Sequence, residues 1–377
     1  MAGSGTGTGG IGVAGVRARP YRGPLRRPFV TSRRRVEAIT GVIVELELAD
    51  GTVGLGSAAE TFAVTGESTA SIVAAVEGPI GEALVGPARS VRGHAAAVAD
   101  SCVANSSARA AVDMALHDAW ARVLGVPLVE ALGGDAATGL ATDMTVSLGE
   151  AGDMAQEAAA AVGQGYDVLK IKLGRDWRAD LDRLTAVTRA APSARLRLDA
   201  NQGWDVKSAI RVIRAIEDAG LPVQLVEQPV DQRDLTGLAA VTRAVDTPIM
   251  ADEAAATPAD ALELVSARAV DQINIKLAKC GGIGQALAIA DIAAAGGVEC
   301  MVGAMMEPRI SITVAGHVAA AHPNITLVDL DAAEWVDDPD LDTGGYTMRR
   351  SVMQLHPDPG IGFETRPAVG SPATGHH

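Results

Sequence analysis

The sequence predicts an α/β protein, a (β/α)8 barrel attached to a smaller α+β domain, and three observations carry that expectation. From Thr142 onward, short β-rich runs alternate with Ala-rich helical runs, the pattern of repeated β/α units. Eight such runs fit into roughly 190 residues, the count a closed barrel needs. Acids and lysines recur at the ends of those runs, where a barrel places its open mouth. A doubly wound open sheet satisfies the first of these as well and stands as the alternative.

The eight runs are DMTVSLG, DVLKIKLG, ARLRLDANQ, VQLVEQP, TPIMADE, QINIKLAKC, ECMVGAMME and ITLVDLD. Each except the last precedes a helical pattern. Upstream, Val42, Val44, Leu46 and Leu48 alternate with Ile43, Glu45 and Glu47, a half-buried strand, and Ala49-Asp50-Gly51-Thr52 turns it into a second one. Ser68 to Val85 and Ser107 to Leu124 carry helical periodicity, the latter through Ala111, Met114, Ala115 and Ala119; His117 and Asp118 read as structural residues of that helix. The expected organisation is a tail over 1–19, an α+β domain over 20–135 and the barrel over 136–340. A segment over 341–368, containing YTMRRSVMQLHPDPGIGF, returns to the first domain, and 369–377 form a second tail. At 377 residues the chain exceeds what one ordinary core supports.

Lysine and arginine total 32 against 46 acids, a net charge of −14, which argues against a nucleic-acid partner. Arg17, Arg19, Arg22, Arg26, Arg27, Arg33, Arg34 and Arg35 crowd one region and read mainly as a solvated basic patch. Cys102, Cys280 and Cys300 have unrelated spacings, so free thiols in a reducing cytoplasm are expected. No run approaches a membrane span, and MAGSGTGTGGIGVAG lacks the charged and apolar regions of a signal peptide.

Lys172, Asp199, Glu227, Asp252 and Lys276 close the second to sixth runs, spaced 24 to 28 residues apart, one β/α unit each time. Asp329 closes the eighth. Converging carboxylates cannot all stay ionised without a cation, and oxygen-only ligands select a hard one, so Asp199, Glu227 and Asp252 point to Mg2+. No histidine ends a run, which disfavours zinc. Lys172 and Lys276 fall on opposite sides of the barrel. A lysine beside a metal and another cation has its pKa lowered toward neutrality and can accept a proton. Two such bases suggest abstraction from one face of a carbon and return to the other, with the metal holding a carboxylate and stabilising an enediolate.

KIK at Lys170 to Lys172, DANQGW from Asp199, VEQP, MADE and INIKLAKCGG, together with AVDMALHDAW upstream, resemble the enolase superfamily, muconate-lactonizing subgroup. Its sites are a known example of a lysine base working beside Mg2+. The resemblance implies that the first domain caps the barrel, that one Mg2+ binds per subunit and that the chain forms a homo-oligomer. It also implies that Lys170 contacts the substrate carboxylate and tunes Lys172, with Asn201 and Glu253 supporting the metal ligands.

Within the subgroup, Asp329-Leu-Asp331 resembles the DxD of dipeptide epimerases, where two acids clamp a free ammonium. Thr145 and the MVGAMME run fit the same pattern. The implied reaction is epimerisation at the α-carbon of a dipeptide's C-terminal residue. Arg34 stands where L-Ala-D/L-Glu epimerases bind the acidic side chain, which makes Glu or Asp the first choice there. Arg33 is a second candidate, Met306 can shape the pocket, and Leu55 and Ser57 depart from the usual GWGEA, which leaves hydrophobic and other dipeptides open as substrates. A muconate-type cycloisomerase, an N-acylamino acid racemase or o-succinylbenzoate synthase on the same site, and a catalytically silent metal-binding scaffold are the alternatives.

Overall fold

The computed structural model describes residues 12–30, 35–174, 176–337 and 343–364. Strands β1 (Val13–Val30), β2 (Arg35–Leu48) and β3 (Val53–Ala59) form an antiparallel sheet in that order. The alternation in β2 buries both faces. Val42, Val44, Leu46 and Leu48 pack with Ala111, Ala115 and Ala119 of the helix Ser106–Leu124, while Ile39 and Ile43 join the core shared with the barrel. Small residues let helix and sheet approach closely: a Cβ at Gly54 would meet Ala115 O at 2.0 Å, and one at Gly56 would meet Ala111 O at 1.9 Å.

Two expectations here need correction. Strand β1 begins at Val13, inside the segment read as a tail. Its glycines, arginines and prolines hide a strand signal, yet Pro20 and Pro24 are tolerated because β1 is an edge strand. Val13 is buried, with Val16 and Ala18 packed beside it. Its arginines are largely exposed, though Arg19 meets Glu45 at 3.6 Å and Arg27 meets Glu157 at 3.0 Å. The helix expected from Ser68 to Val85 breaks into Thr69–Ala75 and Gly81–Leu84 around Gly78 and Pro79. A further helix, Val91–Asp100, is capped by the Ser90 hydroxyl and was not anticipated.

After β4 (Leu140–Ala141), eight parallel strands make the barrel: β5 (Met144–Val146), β6 (Val168–Lys172), β7 (Arg195–Asp199), β8 (Val223–Glu227), β9 (Ile249–Ala251), β10 (Gln272–Lys276), β11 (Glu299–Gly303) and β12 (Ile325–Asp329). They pair in sequence order. A parallel bridge between Thr142 and Val328 joins the two ends, which excludes the open sheet. Helices follow the first seven strands, and only the short turn Ala332–Trp335 follows β12. Leu169, Ile171, Leu196, Leu198, Ile273 and Ile275 point outward to those helices. Inside, Leu225, Met250 and Met301 with Leu327 form an apolar plug, so the barrel is a packed core with chemistry at one end.

The hairpin β13 (Tyr346–Arg349) and β14 (Val352–Leu355) pairs with β4, and the chain then runs to the N-terminal domain. Asp118 fastens it there: Oδ1 accepts from Ile361 N (2.8 Å) and Arg122 Nε (3.0 Å), and Oδ2 accepts from Leu55 N (2.8 Å). Asp118→Ala strands these donors in a fully buried site. The expected cost is about 3 to 5 kcal/mol, read as a lower denaturation midpoint.

Candidate active site

Strand alternation decides which residues face the barrel axis. In VLKIK Leu169 and Ile171 pack outward, so Lys170 and Lys172 point inward together. Register then sets their height: Lys172 lies level with Asp199, and Asp199 with Glu227. Across the barrel Lys276 lies level with Gly303 and Asp329. Gly303 has no side chain for a reason, since a Cβ there would meet Asn274 Oδ1 at 2.6 Å. The side chain of Asn274 thereby reaches Glu227 Oε1, to which its Nδ2 donates at 2.8 Å.

Lysines and acids interlock. Lys172 Nζ lies 2.6 Å from Asp199 Oδ2, and Lys276 Nζ lies 2.7 Å from Asp252 Oδ2. Lys170 Nζ reaches Glu227 Oε2 at 2.5 Å, Asp329 Oδ2 at 2.6 Å and Asp199 Oδ2 at 3.5 Å. Lys279 also holds Asp252, at 2.6 Å to Oδ1, and donates to its backbone carbonyl. All these groups are buried. The loops that carry them are held in uncommon backbone conformations: Asn201, Gln202 and Gln228 have φ of 45°, 63° and 38°. Gln228 locks two of the loops, its Oε1 accepting from Asp252 N (2.9 Å) and Ala254 N (3.1 Å). Asp199 Oδ1 accepts from Asn201 N at 2.9 Å.

A cavity at the mouth is lined by Lys170, Lys172, Lys276, Asp252, Asp329 and Asp331, and also by Thr145, Asn201, Glu253 and Met306. Asp199 and Glu227 lie just beneath it, in contact with its lysines. Asp331 is pinned by Thr145 N, which donates to its Oδ2 at 2.7 Å, and by Trp335 Nε1 at 3.1 Å. Arg33 and Arg34 lie outside the described residues. Sequence reasoning missed Asn274, Lys279, Asp143 and Arg197. The alternation rule that placed Lys170 beside Lys172 also places Asn274 beside Lys276 and Arg197 beside Asp199. Phe29 and Val64, from the N-terminal domain, line the cavity too, and no local pattern marks them.

Charge is finely opposed. Burial drives the Glu227 carboxyl up to about 7, Lys170 works against it, and Asp199 and Asp252 add to it. Burial likewise lifts Asp252, but Lys276 and Lys279 overcome this and hold it well below the carboxylate range. For Lys276 burial acts downward, yet Asp252 and Glu227 prevail and its pKa lies above the ordinary value; Lys170 is raised in the same way, chiefly through Asp329 and Glu227. The lowering expected for a lysine base is therefore not seen at Lys276 or Lys170, where the surrounding carboxylates prevail; a cation held among those carboxylates would act in the lowering direction.

The residues fit such a cation. Asp199, Glu227 and Asp252 offer only hard oxygen donors, and the Lys170 ammonium already sits against two of them as a stand-in positive charge. Asn201 Oδ1 and Glu253 Oε2, from residues on the cavity wall, are buried acceptors without a donor. Asp143, Asp329 and Asp331 also bring one oxygen each within 4.8 Å of one another. Arg197, Lys170 and Thr145 N engage the acids of that group, as lysines engage those of the first.

Fold and site together define a barrel protein whose mouth sets lysines from opposite strands against a carboxylate cluster. The chain belongs to the enolase superfamily: residues 14–133 match the mandelate racemase / muconate lactonizing enzyme N-terminal domain and residues 153–369 the enolase C-terminal domain-like family. It is 46% identical over 345 residues to an L-Ala-D/L-Glu epimerase of Bacillus subtilis, covering 90% of this chain and 93% of that one. The substrate-liganded structure of the L-Ala-D/L-Glu epimerase from Bacillus subtilis superimposes with a TM-score of 0.91 at 42% identity, over 93% of this chain and 98% of that one. A dipeptide epimerase from Enterococcus faecalis, complexed with Mg and L-Leu-L-Tyr, gives 0.87 at 38% identity, over 94% and 99%.

Proposed function

We propose that the protein is a Mg2+-dependent dipeptide epimerase, an isomerase that inverts the α-carbon of the C-terminal residue, with L-Ala-D/L-Glu as the favoured substrate. One observation carries this reading most: Lys172 on β6 and Lys276 on β10 stand four strands apart in an eight-strand ring, on opposite sides of one cavity that also holds Asp329 and Asp331. Bound at Asp199, Glu227 and Asp252, Mg2+ would supply positive charge that makes a proton next to a carboxylate easier to remove. Lys170, at the cavity floor, is placed to bind the substrate carboxylate. Asp329 and Asp331 accept the free ammonium, which fixes the dipeptide's direction. One of Lys172 and Lys276 then takes the α-proton into its Nζ lone pair, and the other delivers a proton to the opposite face. Asn201 and Glu253 steady the metal ligands, Met306 shapes the side-chain pocket, and Arg34 is assigned the acidic side chain from its place in the sequence.

Three cysteines without a disulfide and the absence, among the described residues, of a helix long and apolar enough to cross a membrane agree with the cytoplasmic setting we assign. A homo-oligomer is part of the same proposal. The deciding experiment incubates the enzyme with L-Ala-L-Glu and Mg2+ in D2O. Deuterium at the Glu α-carbon and formation of L-Ala-D-Glu are expected, both lost with EDTA and restored by Mg2+. No uptake across a broad L,L-dipeptide panel would overturn the assignment.

A further inference from the structure

The seam that closes the barrel contains a buried ion pair outside the cavity. Arg197 lies on the inward face of β7, two residues before Asp199, and is 3% exposed. Its Nη1 donates to Asp143 Oδ2 at 2.8 Å and to Val328 O at 2.7 Å, and its Nε donates to Gln224 Oε1 at 3.0 Å. Asp143 precedes β5, and Val328 immediately precedes Asp329. The two sides of the seam are further tied by Leu330 N donating to Thr142 Oγ1 at 2.8 Å and by Thr145 N donating to Asp331. One oxygen each of Asp143, Asp329 and Asp331 falls within 4.8 Å of the others, and Asp143 Oδ1 is buried without a hydrogen-bond partner.

Three acids so close repel one another. Of the cations beside them, Lys170 reaches Asp329 from the cavity and Arg197 reaches Asp143 from beneath. Neither Arg197 nor Asp143 lines the cavity. We infer that Arg197 and Asp143 are a positioning pair: by fixing the Val328 carbonyl and the seam, they set the placement of Asp329 and Asp331 for the substrate's cationic amine. The guanidinium is suited to this because its Nε and Nη1, held in one plane, bond Gln224 on one side and Asp143 with the Val328 carbonyl on the other, a spread that an ammonium cannot reproduce. A shift at Val328 passes directly to Asp329. The inference rests on the proposed dipeptide substrate and adds to it two residues outside the cavity lining.

Arg197→Lys, which keeps the charge but not the planar guanidinium, and Asp143→Asn, close in shape to the native residue, test it. Mg2+ binding is followed by calorimetry, and kcat and KM with L-Ala-L-Glu by deuterium uptake. We expect KM to rise about tenfold or more in each variant, kcat to stay within about threefold, and Mg2+ affinity to hold. Unchanged KM in both variants overturns the inference. So does a parallel fall in Mg2+ affinity, kcat and 1/KM, or loss of the folded circular-dichroism spectrum in both, since either makes the pair merely structural. Wild-type protein inert on every dipeptide removes the epimerase reading and this inference with it. Active wild type with unaltered variants removes this inference alone.

Discussion

Alanine at position 276 is expected to stop inversion while leaving proton exchange on one epimer only. Lys276 and Lys172 approach from opposite strands, so removing one leaves the other to take and return a proton on its own face. Lys276→Ala should therefore lower epimerisation by about a thousandfold or more, yet still wash deuterium into whichever epimer presents its proton to Lys172; Lys172→Ala should show the mirror-image preference. The fold should tolerate the change at 276, because Asp252 keeps Lys279 at 2.6 Å and is not left as an uncompensated buried charge. Separate deuterium-uptake measurements on L-Ala-L-Glu and L-Ala-D-Glu distinguish these outcomes. Unchanged epimerisation by Lys276→Ala would revive the silent-scaffold alternative.

The barrel was legible because each strand carries its own evidence. A residue period of two separates core from axis, and one unusual residue per unit marks the mouth. The site followed from the same rule: Lys172, Asp199 and Glu227 sit level in the register, as equal spacing along the chain implies. What escaped was information held between distant segments. Strand β1 has little apolar alternation and is a strand because β2 pairs with it along nearly its whole length. Phe29 and Val64 reach the cavity through domain packing, and no short motif marks these two. The basic N-terminal region reads mainly as a scattered, solvated patch, and its described arginines are largely exposed, with Arg19 and Arg27 also meeting acids from two different parts of the chain. Lys279 and Asn274 both lie within INIKLAKC. A lysine three residues past a strand end looks like a helix surface position, yet the short helix Leu277–Cys280 carries it inward onto Asp252.

Asn in place of Asp329 should separate a dipeptide epimerase from a racemase of N-acylated amino acids. Burial raises the Asp329 carboxyl, but Lys170, Lys276 and Lys172 outweigh it and bring its pKa down to about 2. The group is thus charged throughout any workable assay range, and the substitution removes a full charge with almost no change of shape. Lys170 keeps Glu227 at 2.5 Å and Asp199 at 3.5 Å, so the floor of the site stays paired. Losing one charged hydrogen bond to a desolvated ammonium costs up to about 3 kcal/mol. For L-Ala-L-Glu that corresponds to a fall of about a hundredfold in kcat/KM, most of it in KM. An N-succinyl amino acid has no ammonium to hold, and any turnover of it should change by less than about threefold. If Asp329→Asn processed L-Ala-L-Glu as well as the wild type, the Asp329-Asp331 pair would not be an amine clamp and the choice of a dipeptide would lose its chemical basis.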